Sequence, residues 1–221
     1  AMFDIQRRLR RKAYNIQKIL DHSLFTIEDL SFNSIFIRAN SHLRQITKSI
    51  QEEIPHDLDQ RMKKSEKAFE ELWDPYSGQY YSRDFITHRL LKVPTIATLL
   101  PLYAGTISKE RANHLVELLE DQEAFGLEYP VPSVPKNSDW FQPKRYWQGP
   151  SWVNTNWLII EGLLEYGYKD QAAKLKQSTL EMIEKSGFSE YFNPLTGEAA
   201  GAPNFSWTAA LAIDLAKNTK I

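Results

Sequence analysis

The sequence predicts an all-α protein in which helical hairpins are arranged as part of an α/α toroid. Strongly apolar segments alternate with amphipathic ones at helical spacing, and no long run of alternating residues predicts an extended strand. Two turns, at 73–78 and 192–197, share the pattern aromatic, Asp or Asn, Pro, two residues, Gly. This matching pattern predicts short β-hairpins at both places and a repeated helical unit around them.

The first half of the chain predicts three helices. Residues 3–20 carry apolar residues on roughly one face of a helix. Asp29 is a suitable N-cap for the next helix, and residues 57–72 form a charged, outer helix. The predicted buried stripe of the helix after Asp29 consists of Phe32, Ile35, Phe36, Ala39, Leu43 and Ile46.

The second half predicts alternating inner and outer helices. Residues 94–103 and 151–166 are strongly apolar and are expected to be inner helices, with Pro101 kinking or ending the first. Residues 109–119, capped by Ser108, and 170–185, ending at Gly187, are amphipathic. Residues 206–217 close the chain. The irregular stretch 121–150 is rich in Pro and aromatic residues, and loops of this length are often functional.

Composition excludes several classes of function. The 221-residue chain has a net charge of −1, which argues against nucleic acid as its main partner. It has no cysteine, which excludes disulfides and thiolate metal sites and fits a cytoplasmic location. No apolar run is long enough to span a membrane, and the scattered histidines lack metal-ligand spacing. We therefore expect no metal, no cofactor, no nucleic acid and no membrane partner.

Residues 146–156 combine indoles, a phenol and side-chain amides in one short segment. Aromatic faces suit the C–H side of a sugar ring, and amides suit its hydroxyl groups. The candidate sugar-binding residues here are Tyr146, Trp147, Gln148, Trp152 and Asn154. Each alternatively has a structural role: a tryptophan is commonly part of a core, and the amides could cap the helix that begins near Pro150.

Only one of the two asparagines in this segment is expected to face a site. Asn154 and Asn156 point in different directions if they lie on one helix.

A second segment, 187–207, supplies a carboxylate among aromatic residues. Glu190 lies in Gly-Phe-Ser-Glu-Tyr-Phe. Trp207, which ends the segment, is a further candidate for stacking on a sugar ring, with a place in the core as its alternative. Glycoside hydrolysis requires a general acid and a second carboxylate that activates water or attacks the sugar, and Glu190 could be either. The alternative is an ordinary solvated surface glutamate.

These residues resemble glycoside hydrolase family 63 and its bacterial relatives, which include mannosylglycerate and glucosylglycerate hydrolases. The resemblance rests on three blocks and covers almost the whole chain. The first block is 25–36, which begins Phe-Thr-Ile-Glu-Asp-Leu-Ser-Phe, and the second is 146–157, which begins Tyr-Trp-Gln-Gly-Pro-Ser-Trp. The third is 187–197, which contains Phe-Ser-Glu-Tyr-Phe-Asn-Pro and is continued by Asn-Phe-Ser-Trp-Thr-Ala-Ala at 204–210.

The resemblance implies an (α/α)6 barrel and an inverting α-glycosidase. It implies that Glu190 is the general base, and that Trp147, Trp152 and Asn154 contact sugar. Gln148 stands where the family commonly has Arg, which leaves the identity of the substrate open.

The resemblance also implies an incomplete enzyme. The family's general acid is an Asp in a Gly-x-Asp segment upstream of the Phe25 block, and this chain has no such segment. About eight helices are expected, whereas the closed ring has twelve. Residues 1–221 are therefore expected to be the C-terminal portion of the barrel, inactive alone, with exposed apolar edges that favour self-association or pairing with a missing N-terminal half.

Two other functions stay open at this point. A non-catalytic carbohydrate-binding or interaction protein on a truncated toroid would bind sugar without turnover. A sugar epimerase on a similar ring would use histidine as acid and base, but no histidine lies near Trp147 or Glu190 in the sequence.

Overall fold

The computed structural model describes residues 2–21 and 26–217. Phe25, the first residue of one block that carries the resemblance, lies outside the described residues. The described helices are α1 (Met2–Arg11), α2 (Ile16–Leu20), α3 (Leu30–Ser49), α4 (His56–Phe69), α5 (Pro101–Ala104), α6 (Lys109–Glu120), α7 (Val153–Glu165), α8 (Lys169–Ser186) and α9 (Ser206–Lys217), with short 3-10 turns at Glu70–Leu72 and Ile96–Leu99.

The helices form two layers, as the alternation of apolar and amphipathic segments predicts. Helices α3, α5, α7 and α9 pack side by side in that order, and α4, α6 and α8 each pack on the inner helix that precedes them. The core lies between the layers and includes Ile37, Leu102, Leu115, Ile159, Leu163, Met182 and Leu215. This arrangement is an arc of an α/α toroid.

Short antiparallel strand pairs connect the helices. Strand β1 (Ile27–Glu28) pairs with β4 (Arg83–Asp84), β2 (Trp73–Asp74) pairs with β3 (Gln79–Tyr80), and β5 (Ser189–Phe192) pairs with β6 (Ala199–Pro203).

The two turns that share a sequence pattern also share a structure, and both predicted hairpins are confirmed. Trp73 pairs with Tyr80, and Phe192 pairs with Ala199. In each turn, the glycine N–H donates to the carbonyl of the Asp or Asn that begins it, at 3.0 Å for Gly78 and 2.8 Å for Gly197.

Several local predictions are confirmed by hydrogen bonds. The Asp29 side chain accepts from the N–H of Phe32 at the start of α3, and Ser108 caps α6 in the same way. Gly187 ends α8. Pro101, expected to kink or end a helix over 94–103, instead begins α5, because proline lacks only an N–H that the first turn leaves unpaired.

The single helix predicted for 3–20 is wrong. The chain turns between α1 and α2, where Ala13 and Tyr14 have positive φ values of 49° and 53°. The side chain of Asn15 then accepts a hydrogen bond from the N–H of Lys18 and starts a new helix. An asparagine in this position competes with helix continuation because its side chain replaces a backbone acceptor.

The predicted buried stripe of α3 is also wrong. The buried face consists of Leu30, Ser34, Ile37 and Asn40. The apolar residues that define the predicted stripe, which we call the α3 stripe, are exposed: Phe32, Ile35, Phe36, Ala39, Leu43 and Ile46. Apolar periodicity identifies a face that needs a partner, and within the described part of the chain the inner neighbour α5 packs on a different face.

The stretch 121–150 has no helix and no named strand. It is not a surface loop throughout, because Phe125, Val131 and Ser133 are buried. The N–H of Ser133 donates to the carbonyl of Pro150, and its hydroxyl accepts from the N–H of Gly149. The loop thereby holds the segment that leads into α7.

Candidate active site

The segment from Tyr146 to Trp152 is a compact turn at the start of α7. Tyr146 has a positive φ of 41°, and its carbonyl accepts a hydrogen bond from the indole N–H of Trp152 at 3.2 Å. At Gly149, a Cβ would lie 2.5 Å from the carbonyl oxygen of Gln142. Glycine is therefore required here by close backbone approach, which explains the Gln-Gly-Pro sequence.

The aromatic side chains of this turn form a stack. The indoles of Trp147 and Trp152 are parallel, with ring centroids 4.1 Å apart and an angle of 3° between their planes. Tyr146 meets Trp152 edge to face at 5.1 Å. Trp152 is 2% exposed, whereas Trp147 is 40% exposed. Trp147 thus offers a rigid, solvent-facing indole, and Trp152 supports it.

A backbone bridge joins this turn to the strand that carries Glu190. The N–H of Ser151 donates to the carbonyl of Phe192 at 2.8 Å, and the N–H of Phe192 donates to the carbonyl of Ser151 at 3.0 Å. Tyr191 packs against Trp152 at 4.9 Å and against Tyr146 at 5.6 Å. The two segments that the sequence singled out therefore meet in space.

Glu190 lies on β5, next to Tyr191 and partly buried. Its carboxylate Oε2 accepts a hydrogen bond from the N–H of Ala202 on β6 at 3.1 Å. Among the ion pairs of residues 2–21 and 26–217, none includes Glu190. Glu190 thus has one backbone donor and no ion-pair partner among the described residues.

Glu198, in the same hairpin, has a different environment. The hydrogen bond from the ammonium of Lys144, 2.7 Å away, holds the pKa of Glu198 below its ordinary value. Its side chain is more than half exposed. Glu198 is a paired surface acid, and it provides a natural comparison for Glu190.

The two asparagines of α7 separate as predicted. Asn156 is fully buried, and its amide bonds the N–H of Val131, the carbonyl of Pro130 and the hydroxyl of Thr179. Asn154 lines a cavity of about 570 Å³. Asn156 is therefore structural, and Asn154 is the amide available to a ligand.

The same cavity has Trp147 in its lining, together with Asp29, Tyr81 and Ser133. Ile35 of the α3 stripe also lines it. Glu190 is not part of this lining. Trp147 is linked to the hairpin that holds Glu190 through Trp152, which contacts both Trp147 and Tyr191.

The remaining predicted site residues are less closely grouped. The buried side-chain oxygen of Gln148 has no hydrogen-bond partner within the described residues, and Gln148 is not part of the lining of the cavity that Asn154 and Trp147 line. Trp207 is 44% exposed at the start of α9 and lies near Phe205, at 6.1 Å. No ring contact between Trp207 and the Trp147 stack occurs in the described part of the structure.

Sequence reasoning missed Tyr191 as part of the site. Its position after Glu190 was visible, but a contact with Trp152 about 40 positions earlier depends on the bridge between Ser151 and Phe192.

No group of three potential metal ligands occurs among residues 2–21 and 26–217. Across those same residues, the structure has no helix that is both long and apolar enough to cross a bilayer.

Known proteins resemble this chain over nearly all of its length. The sequence model for the mannosylglycerate hydrolase MGH1-like glycoside hydrolase domain matches residues 3–208. A mannosylglycerate hydrolase of Thermus thermophilus is 40% identical over 92% of the chain and 49% of its own length. A glucosylglycerate hydrolase of Mycolicibacterium hassiacum is 30% identical over 91% of the chain and 46% of its own length.

Solved structures of related enzymes have the same fold as this chain. The family 63 mannosylglycerate hydrolase from Thermus thermophilus, in complex with glucose, superposes with a TM-score of 0.89 at 39% identity over 95% of the chain and 52% of that protein. Neutral trehalase from Saccharomyces cerevisiae, at 21% identity and a TM-score of 0.67, shares the fold. The chain spans about half the length of the curated relatives it matches.

Proposed function

The chain belongs to the MGH1-like glycoside hydrolase family, and we propose that it is the portion of an inverting α-glycosidase that carries the general base, Glu190. The supporting observation is the position of this carboxylate. Glu190 is hydrogen-bonded by a backbone N–H, has no ion pair in the described residues, and lies beside Tyr191, which packs on the indole stack.

In the proposed reaction, the Glu190 carboxylate takes a proton from a water molecule. The water oxygen bonds to the anomeric carbon on the face opposite the leaving group, and the bond from that carbon to the leaving oxygen breaks. A general acid on the other face protonates the leaving oxygen. In inverting enzymes the two carboxyl groups are roughly 6.5–9.5 Å apart, which leaves room for the water.

The general acid is proposed to lie outside this chain. The matched relatives are about twice as long, and no Gly-x-Asp segment precedes the first block. The domain is accordingly proposed to be the C-terminal portion of the barrel, inactive on glycosides with poor leaving groups. The α3 stripe is proposed to pack against the rest of the ring, or against a second copy when the rest is absent.

The proposed substrate is an α-mannoside or α-glucoside of glycerate, by likeness to the two relatives. Trp147 would stack on the sugar, with Asn154 and Gln148 binding hydroxyl groups. Trp152 would act through Trp147 because it is buried. Direct sugar contacts of Tyr146 and Trp207, and a cytoplasmic location, stay predictions.

A glycosyl fluoride tests the base without the acid, because fluoride leaves without being protonated. We expect the chain to release fluoride from α-mannosyl or α-glucosyl fluoride faster than buffer does, and to form the β-sugar first, as seen by NMR. Glu190→Gln should lower the rate by roughly 10²–10⁴-fold, while Glu198→Gln should not.

Two results would contradict the proposal. Equal rates for the chain and for Glu190→Gln would exclude Glu190 as the base. Binding of mannose or glucose that survives Glu190→Gln, with no release of fluoride by either protein, would instead establish the non-catalytic carbohydrate-binding protein.

A further inference from the structure

The strand pair that carries Glu190 contains a β-bulge directly opposite this residue. Ser189 pairs with Pro203 and Tyr191 with Ala200, so β6 has one more residue than β5 between the two pairs. Gly201 and Ala202 therefore both lie opposite Glu190. Gly201 has a positive φ of 73°, which is the conformation that a glycine-containing bulge requires.

The side chain of Glu190 lies against the position where a Cβ would project from Gly201. Such a Cβ would lie 2.6 Å from Oε2 of Glu190, 2.6 Å from Cε1 of Tyr191 and 2.8 Å from Cβ of Glu190. The neighbouring N–H, of Ala202, donates to the same Oε2 at 3.1 Å. The absence of a side chain at 201 is thus what lets the carboxylate reach the backbone donor.

We propose that Gly201 is a positioning residue for the Glu190 carboxylate, an inference that rests on the proposed function. The bulge turns the N–H of Ala202 toward Oε2 and leaves room for the carboxylate over Gly201. Oε2 is held by the backbone N–H, and in this proposal Oε1 is the oxygen that takes the proton from water. Any side chain at 201 displaces the Glu190 carboxylate or the Tyr191 ring, or separates the two strands.

Two substitutions separate this role from backbone strain. Alanine at 201 adds a Cβ in a conformation it rarely adopts, whereas asparagine adds a Cβ but tolerates positive φ. Gly78, in the turn of the first hairpin, is the control for backbone strain alone, because it has a φ of 65° and a Cβ there would have no atom within 4 Å.

We expect Gly201→Ala and Gly201→Asn both to lower the maximal rate of fluoride release by about 100-fold, the loss typical of a catalytic group misplaced by an ångström. The affinity for the free sugar should stay within twofold. Gly78→Ala and Gly78→Asn should leave both quantities unchanged. The inference would be overturned if Gly201→Asn released fluoride at the rate of the original chain. It would also be overturned if the Gly201 variants and the Gly78 variants had the same rates.

A second measurement does not depend on activity. Gly201→Ala should lower the melting temperature more in the original chain than in a Glu190→Ala background. The reason is that the Glu190→Ala background lacks the carboxylate that the new Cβ would contact. Equal shifts, or failure of Gly201→Ala to fold in both backgrounds, would count against the inference.

The role of Gly201 and the proposed function of Glu190 would be contradicted by different results. Loss of activity in Glu190→Gln together with normal Gly201 variants overturns only the role of Gly201. Full activity in Glu190→Gln overturns the proposed function itself.

Discussion

Trp147 lies flat on Trp152, with 4.1 Å between ring centroids and 3° between the ring planes, yet one indole faces solvent and the other is buried. The buried ring is fixed by its N–H bond to the carbonyl of Tyr146 and by Tyr191. This pairing divides two chemically identical side chains into a solvent-facing surface and its buried support. Substitution should therefore affect the two tryptophans differently.

Trp152→Ala should destabilise the protein by about 3–5 kcal/mol, because it removes a large buried ring and leaves a cavity. Trp147→Ala should change the free energy of unfolding far less and should weaken mannose or glucose binding. Urea unfolding and calorimetric titration measure the two effects. A loss of stability as large for Trp147→Ala as for Trp152→Ala would contradict this division.

The asparagines of α7 form a second matched pair. Asn156→Ala leaves the buried N–H of Val131 and the hydroxyl of Thr179 without their amide partner, so we expect a loss of about 1–3 kcal/mol in the free energy of unfolding. Asn154→Ala should leave stability nearly unchanged and weaken sugar binding. Chemical denaturation of both variants, with binding measured in parallel, checks this; unchanged stability in Asn156→Ala would be the contrary result.

The first hairpin turn should make stability depend on pH. The hydrogen bond from the ammonium of Lys92, with another from Ser77, holds the pKa of Asp74 below its ordinary value of 3.8. Because the folded pKa is the lower one, the stabilisation is fully present above pH 3.8 and is lost as the pH falls through the folded value.

Asp74→Asn, which reproduces the residue type of Asn193 in the second turn, should therefore be less stable than the original chain near neutral pH. The difference in the free energy of unfolding should shrink below pH 3.8. Denaturation across an acidic pH series measures it. Lys92→Gln is the control and should remove most of the same pH dependence, since Lys92 is the largest cause; a difference that is constant with pH would contradict the assignment.

The α3 stripe should drive association. Ile35→Ser with Phe36→Ser removes two exposed apolar side chains without touching the buried face of α3. We expect the original chain to associate as its concentration rises in sedimentation velocity, and the double variant to associate less. Tyr76→Ser, at a residue that is 95% exposed outside the stripe, should have no effect. A monomeric original chain at every concentration would show that the stripe does not drive association.

The sequence alone determined the features that depend on neighbouring residues. The caps at Asp29 and Ser108 form because a polar side chain lies next to the N–H groups it satisfies. The two matching turns form because proline fixes φ at one corner and glycine permits the positive φ needed at another. The alternation of apolar and amphipathic segments predicted the two layers, since apolar faces must be buried somewhere.

Only the tertiary structure decided which surfaces are used. Periodicity could not show that the apolar stripe of α3 stays exposed, because its partner is not specified by α3 itself. Nor could composition show that Trp152 supports Trp147, that Tyr191 joins them, or that Gly201 lies beneath Glu190. These relationships arise from the bridge between Ser151 and Phe192 and from the register of β5 on β6. Such long-range pairings depend on the packing of the whole arc and leave no local signal in the residues that they join.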